Sequence, residues 1–346
     1  MSGDRSSGAD GDASSAAAPD TESVVAVPCE GADVLALFAL GTGERLGEIP
    51  VGSHPVHATT CRGRTFVATM GERSVTAVGA DGEVAQIETG VLGPSHFAAA
   101  AGSLFVACSA GDAVAVLDPE SLTLTDRIAV GAEPHELAVS PDESRLYAGS
   151  RREGVVDVVS TESRERIGSI DVGADARVQG VALSPDGARG YAVDQRGARV
   201  VAFNAMPENE TRSARSSVAA TAEVGADPYD LVVTADRVFV PGRAEGTIHE
   251  FGRDLTLRTV HRGFTRPVDL FRRSGDWWVL DAGADRLRSL SGSIVETAAP
   301  GLVATAVGDR LVVSHYDDDR ISLVDIESGT VWTADSPSYP FGSVVV

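Results

Sequence analysis

The chain has 346 residues, with 29 basic and 50 acidic side chains and a formal net charge of −21. Apolar residues make up 43% and charged residues 23%, so the chain can bury a core and is not disordered as a whole. The longest apolar run, residues 34–40, is too short to span a membrane. No basic patch offsets the acidity, which argues against binding to nucleic acid.

The first 22 residues are rich in Ser, Gly, Ala and Asp, and they lack the basic and apolar regions of a secretory signal. They are predicted to be a disordered acidic tail, and we expect a cytoplasmic protein. Every basic residue is an arginine. An acidic excess without lysine indicates adaptation to high salt, which screens self-repulsion, and predicts a protein from an extreme halophile.

The three cysteines, Cys29, Cys61 and Cys108, form neither a CxxC nor a CxxCH motif. The spacing therefore supports neither a thioredoxin-like site nor covalent haem attachment, and no nucleotide-binding motif follows a strand. We expect these side chains to act as small buried hydrophobes.

Short β-prone runs separated by Gly, Asp and Ser recur through residues 23–346. In each of eight units a first apolar anchor is followed nine residues later by a second, as Phe66 is by Val75 and Phe105 by Val114. One strand precedes this pair, usually after a proline, and in most units another follows it. Four short strands repeating about every 40 residues predict an all-β fold, a single β-propeller of four-stranded blades at residues 23–346.

The two ends of the repeat complement each other. The N-terminal unit begins directly with its second strand at residues 23–28, whereas residues 339–346 form a first strand without a unit. We expect the ring to close by pairing these two strands in one blade, which removes exposed sheet edges. The count predicts eight blades, or seven if the unit at residues 302–335 merges with a neighbour. A polar insertion at residues 204–217 is predicted to be an exposed loop on the opposite face from the usual ligand side.

The segment from strand two to strand three carries a recognisable pattern. Residues 104–118, 147–160 and 311–325 show an aromatic or apolar start, a polar loop and a Val-x-Val-like run that ends near an aspartate. This pattern resembles the YVTN-type β-propeller repeat, and the resemblance covers residues 23–346. It implies the fold but no single activity, because propellers include lyases, lactonases, reductases and scaffolds. Many YVTN-type proteins resemble seven-bladed rings, so a count of eight departs from that pattern.

In propellers, the loops that enter strand one and those that join strands two and three share the face where ligands usually bind. The position two residues after the leading proline, or its equivalent, is ionisable in five of the eight units. In chain order it holds His57, His96, Glu136, Gly180, Asp230, Asp269, Val303 and Gly342. The position before it and the neighbouring loops add further polar side chains: His54, His135, Gln179, Tyr229, Arg151, Arg152, Arg243, His315 and Tyr316. The repeat predicts that these residues meet around the channel mouth.

Three interpretations remain open for this set. Neutral imidazoles with a carboxylate suit Zn, Mn or Fe, which makes His54, His57, His96, His135 and Glu136 candidate metal ligands. Alternatively, His57, His96 or Glu136 acts in catalysis, and Arg151, Arg152 or Arg243 holds an anionic substrate. The candidates for ligand binding are Arg151, Arg152, Tyr229, Asp230, Arg243, Asp269, His315 and Tyr316. In the third interpretation, the polar residues only line a water-filled channel.

Two functions follow from these interpretations. The first is a ligand- or partner-binding propeller without catalysis, which holds a small molecule or a protein at its channel mouth. The alternative is a metal-assisted or general-base lyase or lactonase-type enzyme that acts on a small anionic substrate. The first is favoured because no catalytic motif is present. We expect a monomer, with a divalent metal as the possible cofactor and neither haem nor nucleotide.

Overall fold

The computed structural model of the chain describes residues 23–205, 215–308 and 310–346. Within these ranges, strands β1 to β33 form eight sheets, which are the blades of a β-propeller and are antiparallel except where β19 pairs with β15. The predicted fold and the count of eight are confirmed, and the alternative of seven is wrong. The predicted acidic tail, residues 1–22, lies outside the described residues. No helix in the described part of the chain has the length and apolar character needed to cross a membrane.

The blades follow one another along the chain, and we number them from the N-terminus. Blade 1 contains β1 (Val24–Cys29), β2 (Val34–Ala39) and β3 (Arg45–Pro50). Blade 2 contains β4 (Pro55–Cys61), β5 (Arg64–Thr69), β6 (Ser74–Gly79) and β7 (Val84–Glu88). Blade 3 contains β8 (Pro94–Ala100), β9 (Ser103–Cys108), β10 (Ala113–Asp118) and β11 (Thr123–Ala129). Blade 4 contains β12 (Pro134–Val139), β13 (Arg145–Ser150), β14 (Val155–Ser160) and β15 (Glu165–Asp171).

The second half of the ring repeats this order. Blade 5 contains β16 (Val178–Leu183), β17 (Arg189–Asp194), β18 (Arg199–Asn204) and β20 (Ala220–Glu223). Between β18 and β20 in the chain lies β19 (Arg215–Ser217), which joins the sheet of blade 4. Blade 6 contains β21 (Val232–Val233), β22 (Arg237–Gly242), β23 (Thr247–Gly252) and β24 (Leu257–Arg262). Blade 7 contains β25 (Pro267–Arg273), β26 (Asp276–Asp281), β27 (Arg286–Ser289) and β28 (Ile294–Glu296). Blade 8 contains β29 (Val303–Val307), β30 (Arg310–His315), a short 3-10 helix (Tyr316–Asp318), β31 (Arg320–Asp325) and β32 (Thr330–Asp335).

The chain ends close the ring in blade 1. The last strand, β33 (Val344–Val345), pairs antiparallel with β1 and completes the four-stranded sheet. Upstream of β33, Pro340 forms a bridge with Cys29, and the Phe341 amide donates to the Pro28 carbonyl over 2.9 Å. The predicted closure by the two termini is therefore present.

The core lies between neighbouring blades rather than inside any one sheet. The second strand of each blade is almost completely buried, as in β9 and β17, because it packs on both faces. Tyr147 of blade 4 and Phe203 of blade 5 meet in one such layer, with ring centroids 5.9 Å apart. Cys29 and Cys108 are buried, Cys61 is half-buried, and all three are free thiols.

The insertion after β18 differs in part from the predicted loop. Its residues 215–217 form β19, which pairs in parallel with the outer strand β15 of blade 4. A parallel fifth strand is possible here because the outer edge of a blade has unpaired backbone groups. The end of the insertion therefore ties blade 5 to blade 4, and residues 206–214 lie outside the described residues.

Candidate functional site

Each of several inner strands begins with an irregularity that re-aims its first side chains. The pairing of β4, β8 and β12 with the next strand shifts register just after Pro55, Pro94 and Pro134. An extra residue at a β-bulge bends the strand and redirects a side chain. The proline repeat seen in the sequence thus marks the bulges next to His57, His96 and Glu136, of which His57 and His96 line the cavity described below and Glu136 does not.

Three histidines from three successive blades form a row. The ring centroids of His57 and His96 are 4.4 Å apart, and those of His96 and His135 are 4.2 Å apart. Phe341 meets His57 edge-on at 4.9 Å, and Tyr229 meets His135 edge-on at 5.8 Å. All five rings line a cavity of about 560 Å³. We call His57, His96 and His135 the histidine row.

The tautomer of His135 is fixed by its surroundings. Its Nδ1 lies 2.9 Å from the main-chain oxygen of Gln179. Because a carbonyl can only accept a hydrogen bond, Nδ1 carries the proton and Nε2 keeps a lone pair. The Tyr229 hydroxyl lies 3.4 Å from that Nε2. A histidine held through one nitrogen by a carbonyl is the usual arrangement of a metal ligand.

Glu136 places a carboxylate beside the histidine row. Its Oε2 is 3.9 Å from the Nε2 of His96. One ligand atom each from His96, His135 and Glu136 can be chosen so that all lie within 4.8 Å of one another. Donor atoms bound to one zinc ion are about 3.4 Å apart, given bonds of about 2.0–2.2 Å in a tetrahedron. Small side-chain rotations would therefore bring all three atoms onto one ion.

Burial sets the protonation of this group. It lowers the pKa of His57 to about 4 and that of His135 to about 3, and it lowers the pKa of His96 well below its usual range. The imidazoles are therefore neutral at pH 7, the form that binds metals. Burial also raises the pKa of Glu136 to about 8, and the neighbouring Asp230 carboxylate adds to this shift, so the Glu136 carboxyl is mainly protonated at pH 7 and has to release a proton to bind a metal.

The opposite side of the channel carries carboxylates instead of histidines. Asp230 and Asp269 lie at a smaller cavity of about 190 Å³. The Ala304 amide donates to Asp269 Oδ2 over 2.9 Å. Burial raises the pKa of Asp269 to about 7, with the Asp230 carboxylate also raising it and Arg243 opposing the shift. The pKa of Asp230 is likewise raised by burial.

We expect Asp269→Asn to stabilise the protein at pH 8. The pKa of Asp269 is higher in the folded than in the unfolded chain, so its carboxyl ionises first in the unfolded chain as the pH rises. The free energy of unfolding of wild type therefore falls between about pH 4 and about pH 7. An asparagine oxygen can still accept from Ala304 but carries no charge. Melting temperatures measured from pH 4 to pH 8 at constant ionic strength should diverge from wild type across that window. Asp171→Asn, at an exposed position on an outer strand, is the control; equal pH profiles for Asp269→Asn and wild type would contradict the assignment.

Three arginines share a single carboxylate, Glu133, which lines the cavity of the histidine row. Arg151 lies 3.4 Å, Arg152 3.9 Å and Arg177 3.9 Å from Glu133. The Nε of Arg151 also donates to Gln179 Oε1 over 2.9 Å. Gln179 therefore orients both Arg151 and His135.

Arg243 has a different environment from this group. Its guanidinium forms a salt bridge with Asp227 over 3.0 Å and lies 4.3 Å above the centroid of the Tyr229 ring. The predicted ligand-binding residues Tyr229 and Arg243 thus contact each other. The Asp227 carboxylate therefore neutralises the charge of Arg243, and the face of the Tyr229 ring stabilises its guanidinium.

Other candidates lie apart from the histidine row. His54 is exposed at the rim, where its Nδ1 is 3.4 Å from Glu30. His315 is buried in blade 8, with Nε2 2.7 Å from the Ser322 hydroxyl and Nδ1 3.2 Å from a carbonyl. The Tyr316 hydroxyl donates to Glu30 over 2.6 Å. Of these residues, only Glu30 lines the cavity of the histidine row.

Sequence reasoning missed several lining residues. Phe341 occupies the position before Gly342, the same offset that pointed to His135 and Tyr229, so applying that offset to the last strand would have identified it. A Cβ on Gly342 would lie 3.2 Å from the Nδ1 of His57, so glycine leaves room for the ring. Glu133 carries no sequence signal, because its partners come from two other loops, at residues 151–152 and at residue 177.

Comparisons with known proteins agree with this fold. No family model matches the sequence, and no curated protein matches it. The dihydro-haem d1 dehydrogenase NirN has a TM-score of 0.73 at 12% identity, over 95% of this chain and 76% of that one. Apo AztD from Citrobacter koseri has a TM-score of 0.66 at 14% identity, over 94% and 98% of the two chains. A putative 6-phosphogluconolactonase from Bacteroides fragilis has a TM-score of 0.62 at 13% identity, over 94% and 98%. At such identities the likeness shows a shared fold, the β-propeller.

Proposed function

We propose that this propeller binds a divalent transition-metal ion at its channel mouth, with His96, His135 and Glu136 as ligands. The observation that supports this most directly is the spacing of their donor atoms, which all lie within 4.8 Å of one another. Two imidazoles and one carboxylate suit Zn, Mn or Fe. The protein is then a binding propeller whose site contains a metal.

The surroundings of the three residues support metal binding beyond their spacing. The Gln179 carbonyl leaves His135 Nε2 with a lone pair that can bind a metal. The Nδ1 of His96 is buried and has no hydrogen-bond partner among the described residues. A buried polar atom without a partner costs free energy, but the nitrogen of this ring that lies 3.9 Å from Glu136 is Nε2, so Nδ1 does not itself locate the ion.

His57 and His54 have different parts in this proposal. The His57 ring is next to His96 and lines the same cavity, so it borders the three ligands without being one of them. His54 is 60% exposed and paired with Glu30, and it stands at the rim as a first contact for incoming ions. We therefore expect His57→Ala to weaken binding less than His96→Ala, and His54→Ala to change the equilibrium affinity little.

A metal titration of the full chain tests the proposal. Protein stripped with a chelator and titrated with zinc against a chromophoric competitor should bind one ion per chain, and His96→Ala should lose that binding. His261→Ala is the matched control, because His261 pairs with Glu250 over 2.9 Å on the outer strand β24. Equal zinc affinity in His96→Ala and wild type would overturn the proposal.

A lactonase-type enzyme is the second candidate. Three protein ligands leave a coordination position for water, and zinc lowers the pKa of bound water to about 7. The periplasmic gluconolactonase PpgL of Pseudomonas aeruginosa shares the fold, with a TM-score of 0.58 at 16% identity, over 94% of this chain and 99% of that one. Hydrolysis of small lactones by zinc-loaded protein, lost on chelation and in Glu136→Gln, would favour this candidate. Zinc binding without turnover would leave the binding function.

A further inference from the structure

We infer that the metal-loaded cavity takes a small organic monocarboxylate, whose anionic group lies between the metal and Arg151. This inference rests on the proposed metal site and adds the chemical class of its ligand. It is based on the arginines that line the cavity, Arg151 and Arg152, in a chain that is otherwise strongly acidic.

Two arginines, Arg151 and Arg152, line the cavity, and Arg177 meets the same carboxylate, Glu133, from outside the lining. The chain as a whole has a net charge of −21, yet Arg151, Arg152 and Arg177 converge on one carboxylate, Glu133. The three nitrogen–oxygen distances, 3.4 to 3.9 Å, are longer than those of strong ion pairs. Glu133 therefore neutralises these guanidinium groups only in part, and the arginines that line the cavity can attract an anion.

Arg151 is the member of this group that faces the metal ligands. Its side chain is 18% exposed and lines the cavity together with His96 and His135. Its Nε is held by Gln179 and its Nη1 is loosely held by Glu133, whereas Nη2 makes no hydrogen bond among the described residues. A planar guanidinium with free N–H groups fits a carboxylate, which can accept two parallel hydrogen bonds.

Gln179 fixes the position of Arg151 relative to the metal ligands. Its main-chain oxygen orients His135 and its side-chain oxygen orients Arg151. The Tyr229 hydroxyl, 3.4 Å from His135 Nε2, becomes a free donor once that nitrogen binds a metal. A carboxylate in the open coordination position would thus find the metal, Arg151 and this hydroxyl around it.

The rest of the cavity favours a single negative charge and an organic body. Glu30, Asp112 and Glu133 also line it, and these carboxylates would repel a dianion more strongly than a monoanion. Val56, Met70 and Phe341 provide apolar contacts for a short carbon skeleton. The volume of about 560 Å³ limits the ligand to a small molecule.

Cobalt-loaded protein gives a direct test, because the visible spectrum of cobalt reports a change in its ligands. Titration of full-length protein with benzoate or pyruvate at constant ionic strength should give a saturable spectral change. Arg151→Gln should need at least about tenfold more carboxylate, with unchanged cobalt affinity, because it loses a charge-assisted pair. Arg151→Lys should have a carboxylate affinity between those of wild type and Arg151→Gln, since lysine keeps the positive charge but lacks the two parallel N–H donors of a guanidinium.

Arg62→Gln is the control, because Arg62 is 57% exposed, pairs with Glu120 and does not line this cavity; it should respond as wild type does. Tighter saturation by inorganic phosphate than by either carboxylate would overturn the monocarboxylate assignment. So would identical titrations of Arg151→Gln and wild type. A protein that binds no cobalt would instead overturn the metal site, a result distinct from a cobalt-loaded protein that ignores carboxylates.

Discussion

Deletion of residues 340–346 is expected to lower the free energy of unfolding more than any single substitution on the surface. The deletion removes β33 and with it the inner strand of blade 1. It breaks the backbone hydrogen bonds from Phe341 to Pro28, from Gly342 to Val56 and from Val346 to Val24. These bonds alone contribute roughly 3 kcal/mol at about 1 kcal/mol each, and the fully buried Val25 and Ala26 lose their cover.

Urea unfolding of the truncated chain measures this effect, and Val346→Ala is the control, since that residue is 49% exposed and the substitution keeps the backbone hydrogen bond to Val24. The truncation should also weaken zinc binding, because Phe341 and Gly342 border His57. An unfolding curve that coincides with wild type would show that the ring does not depend on its terminal strand.

His135→Ala is expected to lower zinc affinity by at least about 100-fold, since even the loss of a group that merely orients a ligand costs about 10- to 100-fold. His135 is 5% exposed and the Gln179 carbonyl sets its tautomer. A water molecule in the variant would therefore be a weaker zinc ligand than the oriented Nε2. The competition titration with a chromophoric chelator measures the affinity, and a thermal melt checks that the variant folds.

Tyr229→Phe is the matched variant for this prediction. It keeps the ring that packs edge-on against His135 but removes the hydroxyl near Nε2. Zinc should bind to it as tightly as to wild type or more tightly, because that nitrogen no longer has a hydrogen-bond donor beside it. Equal losses in His135→Ala and Tyr229→Phe would mean that packing, not ligation, governs the affinity.

The fold could be predicted because its signal is local and repeated. The spacing of nine residues between Phe66 and Val75, or Phe105 and Val114, reflects a hairpin of two buried strands that recurs in each blade. Closure followed from a missing first strand at one end and an extra one at the other. β19 could not be predicted, because its parallel pairing with β15 depends on the path of the insertion between two blades.

The site could be predicted only as a set of positions. The offset after each proline identified His57, His96 and Glu136, because a bulge at that offset is part of the repeat. How each side chain is used depends on partners from other blades, and the repeat does not encode them. His315 was assigned to the same face as His135 because it ends the second strand of its blade, but it bonds within its own blade to Ser322.

X-ray absorption at the zinc edge of protein loaded with one equivalent tests the metal site most directly. We predict scattering from at least two imidazoles together with oxygen at about 2.0–2.2 Å, as expected for His96, His135 and Glu136, and loss of one imidazole in His135→Ala. A spectrum of zinc bound by oxygen alone, or one unchanged in His135→Ala, would contradict binding at the histidine row.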